Sequence, residues 1–227
     1  MLDGEVGITA GSDAFTLKKG RAVLHEPMEF HRIRSTGNST PTVIIFSFAA
    51  ENMPKYQSKI FEITDLKEPA NILKNLHEYF KFDGMFLVDI KNRSEVFYQL
   101  ALKELESFVL RTISRQMKTK KIQKSRTAMN YSTIINIMEE NLGKNLSVAE
   151  IAELCSMSEV NLKKTFSLYS GMGVMAYFNR LKTTAAITML KNGMTVQETA
   201  DSLGFANQNY FSTVFKRING HSPSYYK

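Results

Sequence analysis

The 227-residue sequence predicts an α+β protein with a β-rich N-terminal domain that ends in helices and an all-α C-terminal domain. Three observations predict this fold class. Apolar residues follow a strand period between residues 5 and 50 and a helical period from about residue 68. A basic segment then separates two regions of nearly balanced charge, and the second region contains an internal repeat. We therefore expect domains at 1–115 and 129–227, joined by a basic linker at 116–128.

The composition is that of a globular protein without disulfide bonds or membrane spans. Hydrophobic residues make up 43% of the chain and charged residues 22%. The single Cys155 excludes a disulfide scaffold and a cysteine-rich zinc cluster. The longest strongly apolar run, Val43 to Ala50, is too short to cross a bilayer, and the N-terminus is no signal peptide. We expect a cytoplasmic protein that does not contact a membrane.

The excess of positive charge comes from one segment. The chain has 29 Lys and Arg against 22 Asp and Glu, a net charge of +7. Residues 111–126 carry seven basic side chains and no acidic one, which equals the whole excess. Such a segment predicts an exposed linker that attracts a polyanion without reading its sequence.

The N-terminal domain shows five short runs with strand-like alternation, bounded by turn residues such as Gly20 and Pro41. These runs are Val6–Ile8, Phe15–Leu17, Arg21–Leu24, Phe30–Ile33 and Val43–Phe48. Two helical stripes follow, formed by Ile72, Leu76, Tyr79 and Phe80 and by Phe97, Ala101, Leu105, Phe108, Val109 and Thr112. We expect the longer stripe either to pack on the strands or to form a dimer seam.

The C-terminal domain repeats itself. Two capping boxes, Ser147-Val148-Ala149-Glu150 and Thr195-Val196-Gln197-Glu198, predict helix starts 48 residues apart. In a first group of matching positions, Ser147, Val148, Glu150 and Ala152 correspond to Thr195, Val196, Glu198 and Ala200. In a second group, Leu162, Phe166, Gly171 and Tyr177 correspond to Phe211, Phe215, Gly220 and Tyr226. The second group is separated by 49 residues, so one residue is inserted in the intervening turn. Caps, core positions and helix stops recur together, which predicts two helix–turn–helix units.

The second helix of each predicted unit has an exposed face that is suited to nucleic acid. These faces are rich in amides, hydroxyls and cations, and Glu159 at the start of the first is their one carboxylate. The first face consists of Val160, Asn161, Lys163, Lys164 and Ser167, and the second of Asn207, Gln208, Asn209, Ser212, Thr213 and Lys216. Amides can read adenine, and lysine can read guanine or a phosphate. A solvated helix face is the alternative for either helix alone. The linker helix predicted at Ala176–Lys191 spans roughly 22 Å, which with its turns could hold the two faces about 34 Å apart, one DNA turn.

An ordered series of residues resembles the C-terminal domain of the AraC/XylS-type transcription regulators. The series is Ala200–Phe205, Asn209–Ser212, Val214–Arg217 and Gly220–Tyr226, and Ile151-Ala152 with Leu162, Phe166 and Gly171 fits the same family. With the faces above, the resemblance implies base contacts from Val160, Asn161, Lys163, Lys164, Gln208, Asn209, Ser212 and Thr213. It implies phosphate contacts from Thr195, Lys216 and Arg217.

The N-terminal domain resembles, more loosely, the cupin-like sensor barrel of the same regulators. The matching stretches are Leu17–Gly20, Pro27–Ile33 and Val43–Phe48. The resemblance implies a small-molecule effector and a homodimer formed through the helices that follow. Such a barrel needs roughly eight strands, whereas the sequence offers about five, so we expect a partial cupin-like barrel that begins inside the family's domain.

The sequence therefore predicts a sequence-specific DNA-binding transcription regulator, with double-stranded DNA and RNA polymerase as its macromolecular partners. We expect no enzymatic activity, catalytic residue, metal or cofactor, and we expect Cys155 to be a small buried side chain. One alternative is a cupin-type metalloenzyme with a helical appendage, using the cluster His25, Glu26, Glu29 and His31. The other is a degenerate regulator that acts as a protein-interaction module.

Overall fold

The structure is a computed structural model that describes residues 1–37, 40–50, 53–56, 58–84, 86–90, 95–115 and 125–227. The described first half begins with strands and continues with two helices that flank a hairpin: β1 (Glu5–Ala10), β2 (Asp13–Lys18), β3 (Arg21–Val23), β4 (His31–Ser35), β5 (Ile60–Glu62), α1 (Lys67–Tyr79), β6 (Phe80–Asp83), β7 (Phe86–Ile90) and α2 (Glu95–Ser114). The second half is helical: α3 (Arg126–Glu140), α4 (Val148–Leu154), α5 (Glu159–Ser170), α6 (Val174–Lys191), α7 (Val196–Ser202) and α8 (Gln208–Asn219), followed by a 3-10 turn at Pro223–Tyr226. The α+β prediction is confirmed.

The strands form three small sheets. Their orders are β2-β1-β4, β3-β5 and β6-β7, and within the described residues they do not close into a barrel. Four of the five predicted strands are present, but the strand predicted at Val43–Phe48 is wrong. That stretch is irregular: the partly buried Phe46 packs against the core that contains Ile72, whereas Ile45 is exposed. The partner of β3 is instead β5, with Val23 opposite Ile60.

The chain divides into two compact units. One contains Met1–Gly7, Thr16–His25 and Arg34–Ile122, and the other contains Ile8–Phe15, Glu26–Ile33 and Gln123–Lys227. In the first unit the core is formed where α1 and α2 pack together, around Ile72, Leu105 and Phe108. The hairpin of β6 and β7 lies between these helices in the chain and was not predicted. The second unit differs from the predicted C-terminal domain, because it includes two segments from the N-terminal part.

The second unit has two adjoining cores, one for each half of the repeat. The first core includes Tyr131, Leu162, Phe166 and Tyr177 from α3, α5 and α6. The second includes Ala186, Ala200, Phe211 and Phe215 from α6, α7 and α8. Helix α6 contributes to both cores, as a linker helix must. The elements of the described residues 125–227 are all helical, with a linker helix as predicted, and α6 begins two residues before the predicted Ala176.

The two N-terminal segments complete the first of these cores. Ala14 is fully buried within it, and the ring of Phe30 meets that of Tyr177 edge-on with centroids 4.9 Å apart. The hydroxyl of Thr9 donates to the carbonyl of Tyr169 at 2.9 Å. These residues supply apolar surface and a buried hydrogen bond, so the first core is built from both ends of the chain.

Candidate nucleic-acid interface

The first helix of each helix–turn–helix unit begins with a capping box, as predicted. The backbone N–H of Ser147 donates to the Glu150 carboxylate at 2.7 Å, and that of Thr195 donates to the Glu198 carboxylate at 2.8 Å. In both boxes the side-chain oxygen of the cap accepts from the backbone three residues later. These reciprocal bonds satisfy N–H groups that a helix start leaves open, and they fix where α4 and α7 begin.

The turn after the first helix is also the same in both units. In the first unit the N–H groups of Ser156 and Met157 donate to the carbonyls of Glu153 and Ala152, at 2.8 and 2.9 Å. In the second unit Gly204 and Phe205 donate to Asp201 and Ala200, both at 3.0 Å. The two donors and two acceptors of the first turn are each separated by 48 residues from their counterparts in the second turn. The next helices are capped by Ser158 and Asn207, 49 residues apart. The inserted residue therefore lies in the turn, which confirms the predicted repeat.

The shared turn requires one left-handed residue in each copy. Ser156 has a φ of 53° and Gly204 a φ of 64°. A residue with a Cβ atom is strained in this region by about 1 kcal/mol or more, so Ser156→Gly should raise the free energy of unfolding by about 1 kcal/mol. Urea unfolding measures this change. Ser167→Gly, on the exposed side of α5, serves as the control and should lower it by about 1 kcal/mol. Equal effects of the two variants would contradict the interpretation.

The second helices bury one face and expose the other. In α5 the buried side chains are Leu162, Thr165, Phe166, Tyr169 and Ser170, and in α8 they are Phe211, Val214 and Phe215. The ring of Phe211 lies 5.1 Å from that of Phe205, the apolar residue that follows the turn. This packing holds each second helix against its unit and fixes which residues remain outside.

The structure places the predicted base-contacting residues on the outer faces. Val160, Asn161, Lys163, Lys164, Gln208, Asn209 and Thr213 are exposed, and Ser212 is half-buried. Val160 is 77% exposed. Glu159 binds Lys163 at 2.7 Å, whereas Lys164 has no ion pair among the described residues. Helix α8 carries no acidic residue.

The structure distinguishes among the three predicted phosphate contacts. Lys216 and Arg217 lie exposed in the last turn of α8. Thr195 differs, because its N–H and its hydroxyl both donate to Glu198, at 2.8 and 2.7 Å. These two hydrogen bonds hold the pKa of the Glu198 carboxyl below its usual value, and the bond from the Thr195 side chain contributes the larger part. A carboxylate therefore stands where the prediction placed a phosphate, and the two would repel each other.

One contact at the C-terminal end of α5 was not predicted, and it is made by an arginine from the N-terminal part of the chain. The guanidinium of Arg32 donates to the carbonyls of Ser167 and Leu168, at 3.2 and 3.4 Å. A cation at a helix C-terminus can donate to carbonyls that have no partner within the helix, and it interacts favourably with the negative end of the helix dipole. Gly171 allows the approach, since a Cβ atom there would lie 2.5 Å from the guanidinium carbon. Arg32 and Ser167 are 135 residues apart, and no local sequence pattern announces such a contact.

The residues of the metalloenzyme alternative are not brought together. Across the described ranges no group of three or more His, Cys, Asp or Glu side chains could hold a metal ion. His31 is exposed, with its Nδ1 atom 3.1 Å from the carbonyl oxygen of Glu29. Cys155 is buried as predicted, and desolvation raises the pKa of its thiol. Most of the basic linker lies outside the described residues. Nor is any helix in the described part long and apolar enough to span a bilayer.

Comparisons with known proteins agree with the geometry of the C-terminal region. Residues 151–227 match the family model of a helix-turn-helix domain. AdaA of Bacillus subtilis (strain 168), named a bifunctional transcriptional activator/DNA repair enzyme, is 24% identical over 41% of this chain and 45% of its own length. YidL of Escherichia coli (strain K12), named an uncharacterized HTH-type transcriptional regulator, is 33% identical over 40% of this chain and 31% of its own length.

A solved structure covers the same region. The C-terminal domain of AraT, a response regulator from Geobacillus stearothermophilus, aligns with 45% of this chain and 86% of its own at a TM-score of 0.43 and 24% identity. The chain matches less than half the length of the two curated relatives above. Residues 151–227 thus match a helix-turn-helix domain, in agreement with the resemblance of this part of the chain to the AraC/XylS-type transcription regulators.

Proposed function

We propose that this protein is a sequence-specific DNA-binding transcription regulator that places α5 and α8 in successive segments of the major groove. One observation carries the proposal: two helix–turn–helix units with the same caps and the same turn present two outer faces that together hold one carboxylate. A helix of this kind fits the major groove of B-DNA, and a face poor in acidic groups avoids repulsion by the phosphates.

The exposed side chains supply the chemistry for reading bases. The amides of Asn161, Gln208 and Asn209 can donate to and accept from adenine, and the ammonium of Lys164 can donate to guanine. Val160 offers an apolar surface for a thymine methyl group. The remaining proposed base contacts are Lys163, Ser212 and Thr213. Lys216 and Arg217 are the proposed phosphate contacts, and Thr195 is left out because Glu198 occupies its donors.

The proposed role of residues 1–115 is to respond to a small-molecule effector and to form a homodimer, and the proposed linker is 116–128. Exposed apolar side chains on α2 favour the dimer: Val96, Phe97 and Leu100 are 70%, 45% and 59% exposed. The cupin-like character of this part, contact with RNA polymerase, a location in the cytoplasm and the lack of enzymatic activity are further parts of the proposal. The names of the relatives support the regulatory role.

Lys164→Ala tests the proposed base contacts. A base-reading lysine contributes about 1–3 kcal/mol of discrimination, so the variant should bind a duplex selected by the wild-type protein about 5- to 150-fold more weakly. Its affinity for random duplexes should fall far less. Lys191→Ala, which removes an exposed lysine from the end of α6, is the matched control and should change neither affinity by more than twofold. Gel-shift titrations measure both. An equal loss on both duplexes would show that Lys164 contacts a phosphate instead.

A further inference from the structure

The described C-terminal unit contains a lysine that is buried between the two helix–turn–helix units. Lys182 lies in the middle of α6 and is only 3% exposed. Burying an ammonium group is costly unless hydrogen bonds and polarisable neighbours compensate for the lost water. Desolvation lowers the pKa of Lys182 to about 8, so the ammonium remains the main form at neutral pH. A buried charge at this position therefore needs an explanation.

The partners of Lys182 come from both units. Its Nζ atom donates to the carbonyl of Lys144 at 2.7 Å and to the carbonyl of Leu203 at 2.8 Å. Lys144 lies between α3 and α4 in the first unit, whereas Leu203 is the C-cap of α7 in the second. The ammonium also lies 4.7 Å from the ring centre of Phe178 and 5.1 Å from that of Phe205. One ring belongs to the first core and the other to the second.

The backbones on either side of the ammonium touch. A Cβ atom on Gly204 would lie 2.4 Å from the carbonyl oxygen of Gly143, and one on Gly143 would lie 3.0 Å from that of Ser202. The turn after α3 and the turn after α7 are therefore pressed together, and Lys182 donates one hydrogen bond into each. We call this arrangement of Gly143, Lys144, Lys182, Leu203 and Gly204 the bracket.

We propose that Lys182 is a positioning residue: through the bracket it fixes the two helix–turn–helix units relative to each other, and thereby sets the spacing of the two DNA half-sites that the protein accepts. This inference rests on the proposed DNA-binding function. Apolar packing alone is not directional, whereas two hydrogen bonds from one ammonium to two fixed carbonyls restrict both distance and angle. The two hydrogen bonds from Lys182 join the two turns, so their loss should free the orientation of the units while the apolar side chains of each core stay packed.

A measurement without DNA tests the bracket directly. Spin labels on cysteines introduced at the exposed Leu168 of α5 and Tyr210 of α8, with Cys155→Ala to remove the native thiol, report the distance between the second helices. We expect a narrow distance distribution in the otherwise wild-type protein. Lys182→Met, which keeps the length of the side chain but not its donors, should at least double the width. Lys191→Met on the same helix should leave it unchanged. An equally narrow distribution for a folded Lys182→Met protein would overturn the proposal.

A second measurement connects the bracket with half-site spacing. The duplex selected by the wild-type protein is lengthened or shortened by two base pairs between its half-sites, and affinities are compared. The wild-type protein should prefer the original spacing by at least tenfold, and Lys182→Met should reduce this preference to about twofold. Lys164→Ala should weaken binding but keep the preference, because Lys164 lies on α5 and is not part of the bracket. An unchanged preference in Lys182→Met would also overturn the proposal. If no duplex is selected at all, the proposed function fails, and the distance measurement decides on the bracket alone.

Discussion

Gly204→Ala is expected to lower the free energy of unfolding of the C-terminal unit by about 3 kcal/mol. Gly204 has a φ of 64°, a conformation that costs a residue with a side chain about 1 kcal/mol or more. The new methyl group would also lie 2.4 Å from the carbonyl oxygen of Gly143 and 2.8 Å from its carbonyl carbon. Because both are backbone atoms, one turn must move, and forced repacking typically costs a further 1–3 kcal/mol.

Gly193→Ala separates these two causes. Gly193 also has a left-handed φ, 91°, but among the described residues, its own chain neighbours aside, no heavy atom lies within 4 Å of the position that its Cβ would take. We expect this control to cost about 1 kcal/mol from the backbone alone. Urea unfolding followed by helical circular dichroism measures both variants. If the two alanine variants are equally stable, the close contact between the turns does not exist as described.

Phe211→Ala is expected to have an effect of about 3–5 kcal/mol, the usual cost of deleting a fully buried aromatic ring. The side chain is 0% exposed, and its ring lies 5.1 Å from Phe205 and 5.5 Å from Phe215, centre to centre. These rings hold α8 against its unit, so the cavity would loosen the helix that carries half of the proposed base contacts and both proposed phosphate contacts. Such a loss is a large part of the 5–15 kcal/mol that stabilises a typical domain.

Tyr210→Ala is the matched control for Phe211→Ala. Tyr210 is the preceding residue of α8, is 51% exposed, and lies 6.1 Å from Phe205 between ring centres. We expect its removal to cost about 1 kcal/mol, since much of the ring is already in water. Thermal unfolding measures both variants, and the difference between them tests whether Phe211 is a core residue. A Phe211→Ala protein as stable as Tyr210→Ala would contradict the packing of α8.

The features that could be predicted from the sequence are those that short stretches of chain determine. The capping boxes at Ser147 and Thr195 depend on residues three positions apart, and the structure has both. The repeat and its inserted residue were evident because caps, stops and core positions recur together. The exposed faces of α5 and α8 followed from helical periodicity, since burying Phe166 and Phe215 turns the opposite side outward.

The features that could not be predicted depend on residues far apart in the chain. The alternation of Val43–Phe48 indicated a strand, yet β5 at Ile60–Glu62 pairs with β3 instead. The burial of Ala14 in a core with Tyr131 has no local signal, because a small apolar residue in a strand fits many surroundings. Lys182 is similar: a lysine on a helix is usually exposed, and only the fold brings two carbonyls to its ammonium.

Selection of bound sequences from a library of random duplexes shows whether one chain reads two successive major-groove segments with α5 and α8. We expect enrichment of a bipartite sequence whose two conserved blocks lie about 10–10.5 base pairs apart, one turn of B-DNA. Lys164→Ala should relax one block and Gln208→Ala the other. Enrichment of a single block, with both variants relaxing the same positions, or no enrichment at all, would contradict the proposed function.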